Sequence, residues 1–460
     1  MAISPARSAA FEILLRVDRE HSYASELLHS APLAHLSSRD HGLATELVMG
    51  VLRWQSLLDQ RLAGTSSQEI ARLDNAVLVA LRLGIYQLQF LSRVPARAAI
   101  FESVELVKAA RKRSAASFVN AVLRKIAKAD EEDGLAQIKS SAGANLLAQN
   151  AAHPLWLVTR WIQQYGIEIA QRICIHDQKV PDTAIHIHDD HVHNYEVADF
   201  NVDSEVESEL AAAGVELAPG SLLSAARHFI TGDIAKTQAY REGRISIQDE
   251  ASQLVALLVG RGENVLDCCA APGSKTALLA RRNPRARVVA TELHPHRARL
   301  LQNLHRWKNV RVVAADARHL PFPSTCTFDR ILADVPCSGT GTLVRNPEIK
   351  WRLKAEDLRD LQLRQIAILK SAMSQLALGG RLVYSTCSLE REENEAVVEA
   401  ALGGATKFKI IGLQEELLRM RQSGELCWKD IQSLLSGPYL RTIPGVHPCD
   451  GFFAAMIERA

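Results

Sequence analysis

The sequence predicts a three-part chain: an all-α N-terminal domain, a small α/β connecting domain, and a C-terminal α/β domain on a doubly wound parallel sheet. Three observations predict it. Up to about residue 128, apolar residues recur at spacings of three and four, the period of helices with one buried face. From residue 245 onward, short Val, Ile and Leu runs alternate with helical stretches, as parallel strands buried on both faces do. The 460 residues exceed what one core usually holds, and 47% hydrophobic with 23% charged residues is a globular composition.

The helical part, residues 1–130, rests on "AAFEILLRV", "LATELVMGVLRWQSLLDQRL", "NAVLVALRLGIYQLQFL" and "SFVNAVLRKI". Residues 131–150 carry acidic, Gly and Ser punctuation and read as a linker. Residues 151–240 open with the helical "PLWLVTRWIQQYG" and continue through short strand-like runs such as "TAIHIH", the connecting domain. Residues 241–460 read as the C-terminal α/β domain. In it "ENVLDCCAAPGSKTALLARR" reads as strand, loop and helix, "ARVVATELHPHRARLLQNLHRW" as strand and helix, and "VRVVAADARHL" and "FDRILADVPCSG" as further strands. A helix over "LRDLQLRQIAILKSAMSQLALGG" feeds the strand "RLVYSTCS", and "GFFAAMIERA" reads as one more strand at the sheet's end.

No run approaches the roughly 18 apolar residues of a membrane span, and the opening segment is broken by Arg7, Glu12 and Arg16. A cytoplasmic protein is expected. The eight cysteines make no CxxC pair, so any thiol with a function reads as a nucleophile or an acid/base group. The net charge of +2 says little, but Arg93 to Lys128 holds nine basic residues against Glu102 and Glu105. That segment, with Arg111, Lys112, Arg113, Arg124 and Lys125, reads as a footprint for an RNA backbone, with a solvated helix face as the plain alternative. "HIHDDHVH", His186 to His193, fits a zinc-ligand pattern at His186, His188, Asp190 and His191. The β-sandwich that such a site needs does not follow it, so a polar strand end is expected and no metal.

An open parallel sheet binds ligands beyond the carboxyl ends of its strands. There "DCCAAPGSKT" follows the first strand of the C-terminal domain: Pro272 fixes the turn, Gly273 lets backbone approach a ligand, and the next helix offers its first amides. It is neither GxGxxG nor a Walker loop, which disfavours dinucleotides and nucleoside triphosphates. Glu292, 25 positions after Asp267, stands where a carboxylate takes ribose hydroxyls. With Asp316 and Asp334, four strand ends carry acids. Such a set suits a cofactor with a ribose, an adenine and a cationic centre, and S-adenosylmethionine is one. Helix capping by these acids is the plain alternative.

Cys337 and Cys387 follow the fourth and fifth strands of that domain and should open onto the same crevice. Carbon 5 of a pyrimidine is a poor nucleophile, but a thiolate added at carbon 6 makes it enamine-like and able to take a methyl group. A second acid/base group must then remove the carbon-5 proton and let the enzyme go, and a second thiol can serve. Lys275, Ser385 and Ser388 are candidates to activate the nucleophile. Asp334, three residues before Cys337, is placed to bind the cytosine edge at its ring nitrogen or amino group.

"DCCAAPGSKT", "DVPCSGTGT", "RNPEIKW" and "YSTCSLEREENE" closely resemble the motifs of the Nol/Nop/Sun family of RNA 5-methylcytosine methyltransferases, and "ISIQDEASQ" resembles the opening of their catalytic domain. "GVLRWQSLLD", "AAIFESVELVKAARK" and "FVNAVLRKI" are similar to a NusB-like helical RNA-binding domain. The resemblance implies a NusB-like domain joined to a class I, Rossmann-like methyltransferase domain acting on a cytosine of small-subunit ribosomal RNA. It implies that Cys387 is the nucleophile and Cys337 the release group. It also implies that Cys269, Ala270, Ala271, Pro272, Gly273, Ser274 and Lys275, with Glu292, Asp316 and Asp334, hold S-adenosylmethionine. Ser274 stands where the family usually has a second glycine and Glu292 where it has aspartate. No motif points to an obligate protein partner. The rival readings are a methyltransferase of another RNA or a protein, and a noncatalytic RNA-binding factor.

Overall fold

A computed structural model describes residues 3–20, 22–28, 30, 33, 36–128, 134–188, 205–304, 307–323 and 325–460. Its chain divides into two units, Met1–Val180 with Leu343–Leu353, and Pro181–Thr342 with Lys354–Ala460. Among the described residues no helix is long and apolar enough to cross a membrane.

The first unit is helical: α1 (Pro5–Glu20), α2 (Ala24–Leu28), α3 (Ser38–Thr65), α4 (Asn75–Phe90), α5 (Ala96–Ala109), α6 (Ala116–Ile126), α7 (Gly134–Lys139), α8 (Ala144–Asn150), α9 (Leu155–Tyr165) and α10 (Ile167–Asp177). Ser37 caps α3 by accepting from the Asp40 amide at 3.1 Å, and Asp74 caps α4 through Ala76 at 3.0 Å. The periodic apolar faces meet in a core that includes Leu47, Val51, Leu58, Leu81, Leu83 and Leu123, each at most 1% exposed. α3 and α4 approach closely at Gly50, where a Cβ would lie 2.0 Å from the Tyr86 ring. Residues 134–150, expected to be a linker, carry α7 and α8. Ile138 and Leu147 are fully buried there, so packing overrides the Gly and Ser punctuation.

Part of the motif "RNPEIKW" is packed in this unit. Lys350 Nζ donates to the Arg53 carbonyl at 2.8 Å, Trp351 Nε1 to the Leu52 carbonyl at 2.6 Å, and Arg352 to the Val17 and Ser22 carbonyls at 2.9 and 2.6 Å. Lys350 is 1% exposed, and burial lowers its ammonium to about 7 against the pull of Asp177.

In the second unit a small antiparallel sheet comprises β1 (Ala184–Ile187), β2 (Glu216–Pro219), β3 (Ala226–Thr231) and β4 (Ile245–Ile247), in the order β2-β3-β1-β4. Glu250, from "ISIQDEASQ", is fully buried and accepts from the amides of Ser221, Leu222 and Leu223 at 3.0, 2.8 and 2.7 Å. That carboxylate ties the loop before β3 to the helix Glu250–Leu258.

The larger sheet holds β5 (Asn264–Asp267), β6 (Arg287–Glu292), β7 (Val310–Ala314), β8 (Phe328–Asp334), β9 (Leu376–Thr386), β10 (Phe408–Ile411), β11 (Leu435–Ser436), β12 (Tyr439–Arg441) and β13 (Phe453–Arg459). Its order is β11-β12-β13-β9-β8-β5-β6-β7, with β10 also on β13. The five strands β9, β8, β5, β6 and β7 are parallel. Successive residues alternate between two cores. Val265, Val288, Leu332 and Val383 face one, and Leu266, Val289, Ile331, Leu382 and Tyr384 face the other. Both faces are therefore buried, as the unbroken apolar runs predict. The last strand departs from expectation: β13 runs antiparallel to β9 and is itself covered by β12 and β10, so it is interior. Strand order reverses between β5 and β8, which opens a crevice at their carboxyl ends.

Candidate active site

In the second unit Asp334, Cys337 and Cys387 stand at or just past the carboxyl ends of parallel strands, with Lys275 on the helix after β5 and Glu393 on the 3-10 turn after β9. The β8–β9 register pairs Asp334 with Ser385. Cys337 lies three residues past the first and Cys387 two past the second, so the two loops meet. The thiols are reduced, and their sulfurs stand 3.2 Å apart. The Cys387 thiol beside it, then burial, push the Cys337 thiol well above its ordinary range.

Asp334 is held at both oxygens: Lys275 Nζ pairs with Oδ2 at 2.8 Å and Ser385 Oγ donates to Oδ1 at 2.7 Å. Burial pulls the Lys275 ammonium down, but Asp334, with Cys387 and Asp267 nearby, leaves it above the ordinary lysine range. Lys275 also lies over the Phe452 ring at 5.3 Å. It stays charged, within the electrostatic reach of Cys387.

Glu393 is the residue that sequence reasoning missed. It is fully buried and accepts from the Ser338 amide at 2.8 Å, the Ser388 hydroxyl at 2.5 Å, Gln365 Nε2 at 2.9 Å and the Ser338 hydroxyl. Ser338 follows Cys337 and Ser388 follows Cys387, so one carboxylate clamps the backbone behind both thiols. Ser388 is thus engaged with Glu393, and Ser385 with Asp334. The acidic run "EREENE" was the available signal, but its period gives no hint that the third glutamate turns inward.

On the cofactor side, Cys269 to Gly273 form the loop after β5, and Gly273, in the left-handed region at φ 116°, precedes the helix Ser274–Arg282. Cys268 is buried as a core filler. Asp267 points inward: it is 1% exposed, accepts from Thr276 Oγ1 at 2.7 Å, and burial raises its carboxyl to about 6. It braces the loop. Glu292 ends β6, with one oxygen taken by the His294 amide at 2.9 Å. Asp316 differs from expectation, since β7 ends at Ala314 and Asp316 caps the 3-10 turn Ala317–His319. Its two oxygens are engaged by Arg318 at 2.6 to 3.0 Å. A short side chain facing an arginine two residues on favours that local pair over a strand-end position.

The donor set fits S-adenosylmethionine. Glu292 suits a ribose diol, the loop amides suit hydrogen-bond acceptors, and the lysine at the loop is matched by Asp334, which leaves no uncompensated cation for a polyphosphate.

Of the basic residues expected to bind RNA, Arg111, Lys112, Arg113, Arg124 and Lys125 are all exposed in the first unit. Lys112 is paired with Asp74 at 2.6 Å, and Arg124 Nε donates to Asn120 at 3.2 Å. His186 Nδ1 donates to Gln253 Oε1 at 3.0 Å, and the ring packs edge-on against His188. Asp190 and His191 lie outside the described residues, and among those described no cluster could hold a metal.

Residues 254–458 match the family model described as 16S rRNA methyltransferase RsmB/F. The chain is 32% identical to the probable ribosomal RNA small subunit methyltransferase B of Bacillus subtilis, over 98% of each chain. It belongs to the RsmB/F methyltransferase family. Residues 4–128 match the NusB family. The ribosomal RNA small subunit methyltransferase B of Vibrio cholerae is 30% identical over 98% of this chain and 97% of its own. Among solved structures, PH0851 shares the fold over the full length of both chains, with a TM-score of 0.77 at 22% identity. NSun6 from Pyrococcus horikoshii, solved with SFG, covers 66% of this chain and 98% of its own, with a TM-score of 0.54 at 18% identity.

Proposed function

We propose that this RsmB/F member methylates carbon 5 of a cytosine in small-subunit ribosomal RNA through a covalent Cys387 adduct. The observation that carries the reading is the pair of thiols 3.2 Å apart beside the Lys275–Asp334 ion pair. S-adenosylmethionine, when bound, supplies an electrophilic methyl group on a sulfonium.

The Cys387 thiolate attacks carbon 6, the new S–C bond moves the ring π pair toward carbon 5, and that carbon takes the methyl. Asp334 accepts from the exocyclic amino group; the ring nitrogen takes a proton from water, the equivalent of the one Cys387 gave up to water on ionising, which favours addition, and that proton leaves again when the Cys387–carbon 6 bond breaks. Cys337 stays protonated beside a thiolate. Once Cys387 has become a neutral thioether, the neighbour that raised Cys337 no longer acts on it, so its thiol can release its proton to water. The Cys337 thiolate then takes the carbon-5 proton, the electron pair restores the ring double bond, and the Cys387–carbon 6 bond breaks. Two thiols are needed because attack and release demand opposite protonation states at nearly one place. A base inside RNA must be unstacked or presented in a loop to reach both. The helical domain, with Arg111, Lys112, Arg113, Arg124 and Lys125, would contact the RNA backbone.

The test is to incubate the full chain with methyl-labelled S-adenosylmethionine and small-subunit RNA, digest to nucleosides and identify the product by mass and chromatography. 5-Methylcytidine is expected. A label on an exocyclic nitrogen, on ribose or on protein would overturn the reading, and RNA binding without any label transfer would favour a noncatalytic factor.

A further inference from the structure

The helical unit carries a groove between α5 and α6 that the catalytic account does not use. Its volume is about 610 Å³, within the range of sites that hold organic ligands. Arg97, Phe101, Val104 and Lys108 stand at i, i+4, i+7 and i+11 on α5, and Asn120 and Arg124 at i and i+4 on α6, with Lys128 just beyond. Those spacings put each set on one helix face. The two faces thus form opposite walls.

The chemistry of the walls is mixed. Val104 and Ile100 give an apolar floor, and Phe101, 37% exposed, presents a ring to solvent. Arg97, Lys108, Arg124 and Lys128 line the rim and are exposed. The acid in the lining, Glu105, is paired with Lys108 at 2.7 Å. Asn120 accepts from Arg124 Nε at 3.2 Å, which keeps its amide group available as a donor to the groove.

An exposed aromatic ring on an apolar floor inside a cationic rim is the arrangement that takes a single-stranded nucleic acid, with bases stacked on the ring and phosphates on the cations. A duplex hides its base faces and would meet the rim alone. We infer that the α5–α6 groove binds a single-stranded segment of the RNA substrate, with Phe101 as its stacking platform and Arg97, Arg124 and Lys128 on its phosphates. The inference rests on the proposed ribosomal RNA substrate, and charge complementarity selects RNA over an apolar peptide.

The experiment titrates the full chain against a fluorescein-labelled unstructured oligoribonucleotide and a matched duplex, over a range of salt, and measures methylation of small-subunit RNA in parallel. Phe101→Ala should weaken single-strand binding about tenfold, the scale of one lost stacking contact, with the salt slope unchanged. Phe101→Trp should restore it. Arg97→Ala/Lys128→Ala should flatten the salt slope by about 1.4, as two lost phosphate contacts on a single strand do. In methylation, Phe101→Ala should raise KM and leave the rate at saturating RNA unchanged. Thermal melting of each variant reports folding, and the charge variants keep the test open should Phe101→Ala melt early.

Single-strand affinity and slope within twofold of wild type in both variants would overturn the inference and leave the groove to another occupant, such as an acidic protein segment. Methylation that proceeds normally while Phe101→Ala keeps the wild-type KM would sink the groove and spare the proposed function. Phe101-dependent binding without methylation of ribosomal RNA would do the reverse.

Discussion

Replacing Glu393 with alanine removes an acceptor that serves four donors without exposing them to water. Ser338 is 7% exposed, Gln365 and Glu393 are fully buried and Ser388 is 1% exposed. The two hydroxyls can turn toward each other, already 3.0 Å apart, but the Ser338 amide and the Gln365 N–H cannot. Each unpaired buried donor costs about 1–3 kcal/mol, and release of a buried carboxylate offsets part of that. A net loss of about 3 kcal/mol is predicted for Glu393→Ala in denaturant unfolding. The kinetic effect should be larger than stability alone implies, because the clamp sets where Cys337 and Cys387 sit. A displacement on the order of 1 Å lowers rate about 100-fold. Glu393→Gln keeps one acceptor oxygen and should lose about tenfold, a fraction of that effect. The assay is single-turnover methyl transfer to small-subunit RNA at saturating cofactor, with cofactor affinity measured separately. Cofactor affinity within about twofold and a rate near one hundredth of wild type are predicted. A Glu393→Ala rate within threefold of wild type, in a folded protein, would refute the clamp.

Two further predictions concern buried charges. Asp267 has its folded carboxyl raised to about 6, above an unfolded value of about 3.9. Its neutral form is favoured by folding, so its contribution is complete below about pH 4 and lost as pH rises through 6. Asp267→Asn should therefore be more stable than wild type at pH 8 by on the order of 3 kcal/mol, with the gap closing near pH 4; equal unfolding free energies at both pH values would contradict this. Lys350 is the opposite case, with a folded value of about 7 below an unfolded value of about 10.4. Its contribution is complete above the unfolded value and lost as pH falls through 7. Wild-type melting should drop more steeply than that of Lys350→Met between pH 9 and pH 6, and parallel curves would show that Lys350 is not held neutral.

The sequence made the parallel sheet legible because Val265 and Leu266, Val288 to Ala290 and Ile331 to Ala333 are apolar on both faces, and a period of two is forced only when one face is wet. Direction is not encoded in so short a run. "GFFAAMIERA" is visibly a strand, yet its antiparallel pairing with β9 depends on where the chain re-enters the sheet. α7 and α8 were hidden by Gly134, Gly143 and neighbouring serines, while burial of Ile138 and Leu147 made them helices. Within the site, Cys337, Cys387, Asp334 and Lys275 could be found because strand ends are where chemistry collects. Asp316 was misplaced by two residues, the usual uncertainty of an element boundary. Glu393 lay in a run of acids that looks like solvated surface, and no local pattern says which of them returns to face two buried serines. The motif "RNPEIKW" carried family resemblance without revealing that its Lys350 and Trp351 bond to carbonyls of the helical unit.

The most direct test of the covalent mechanism uses Cys337→Ala beside Cys337→Ala/Cys387→Ala, each incubated with S-adenosylmethionine and a small-subunit RNA fragment and run on a denaturing gel. The account predicts a band retarded by attached RNA in the single variant and none in the double variant. A retarded band that survives loss of Cys387, or a Cys337→Ala enzyme that turns over freely and traps nothing, would contradict the assignment of attack to one thiol and release to the other.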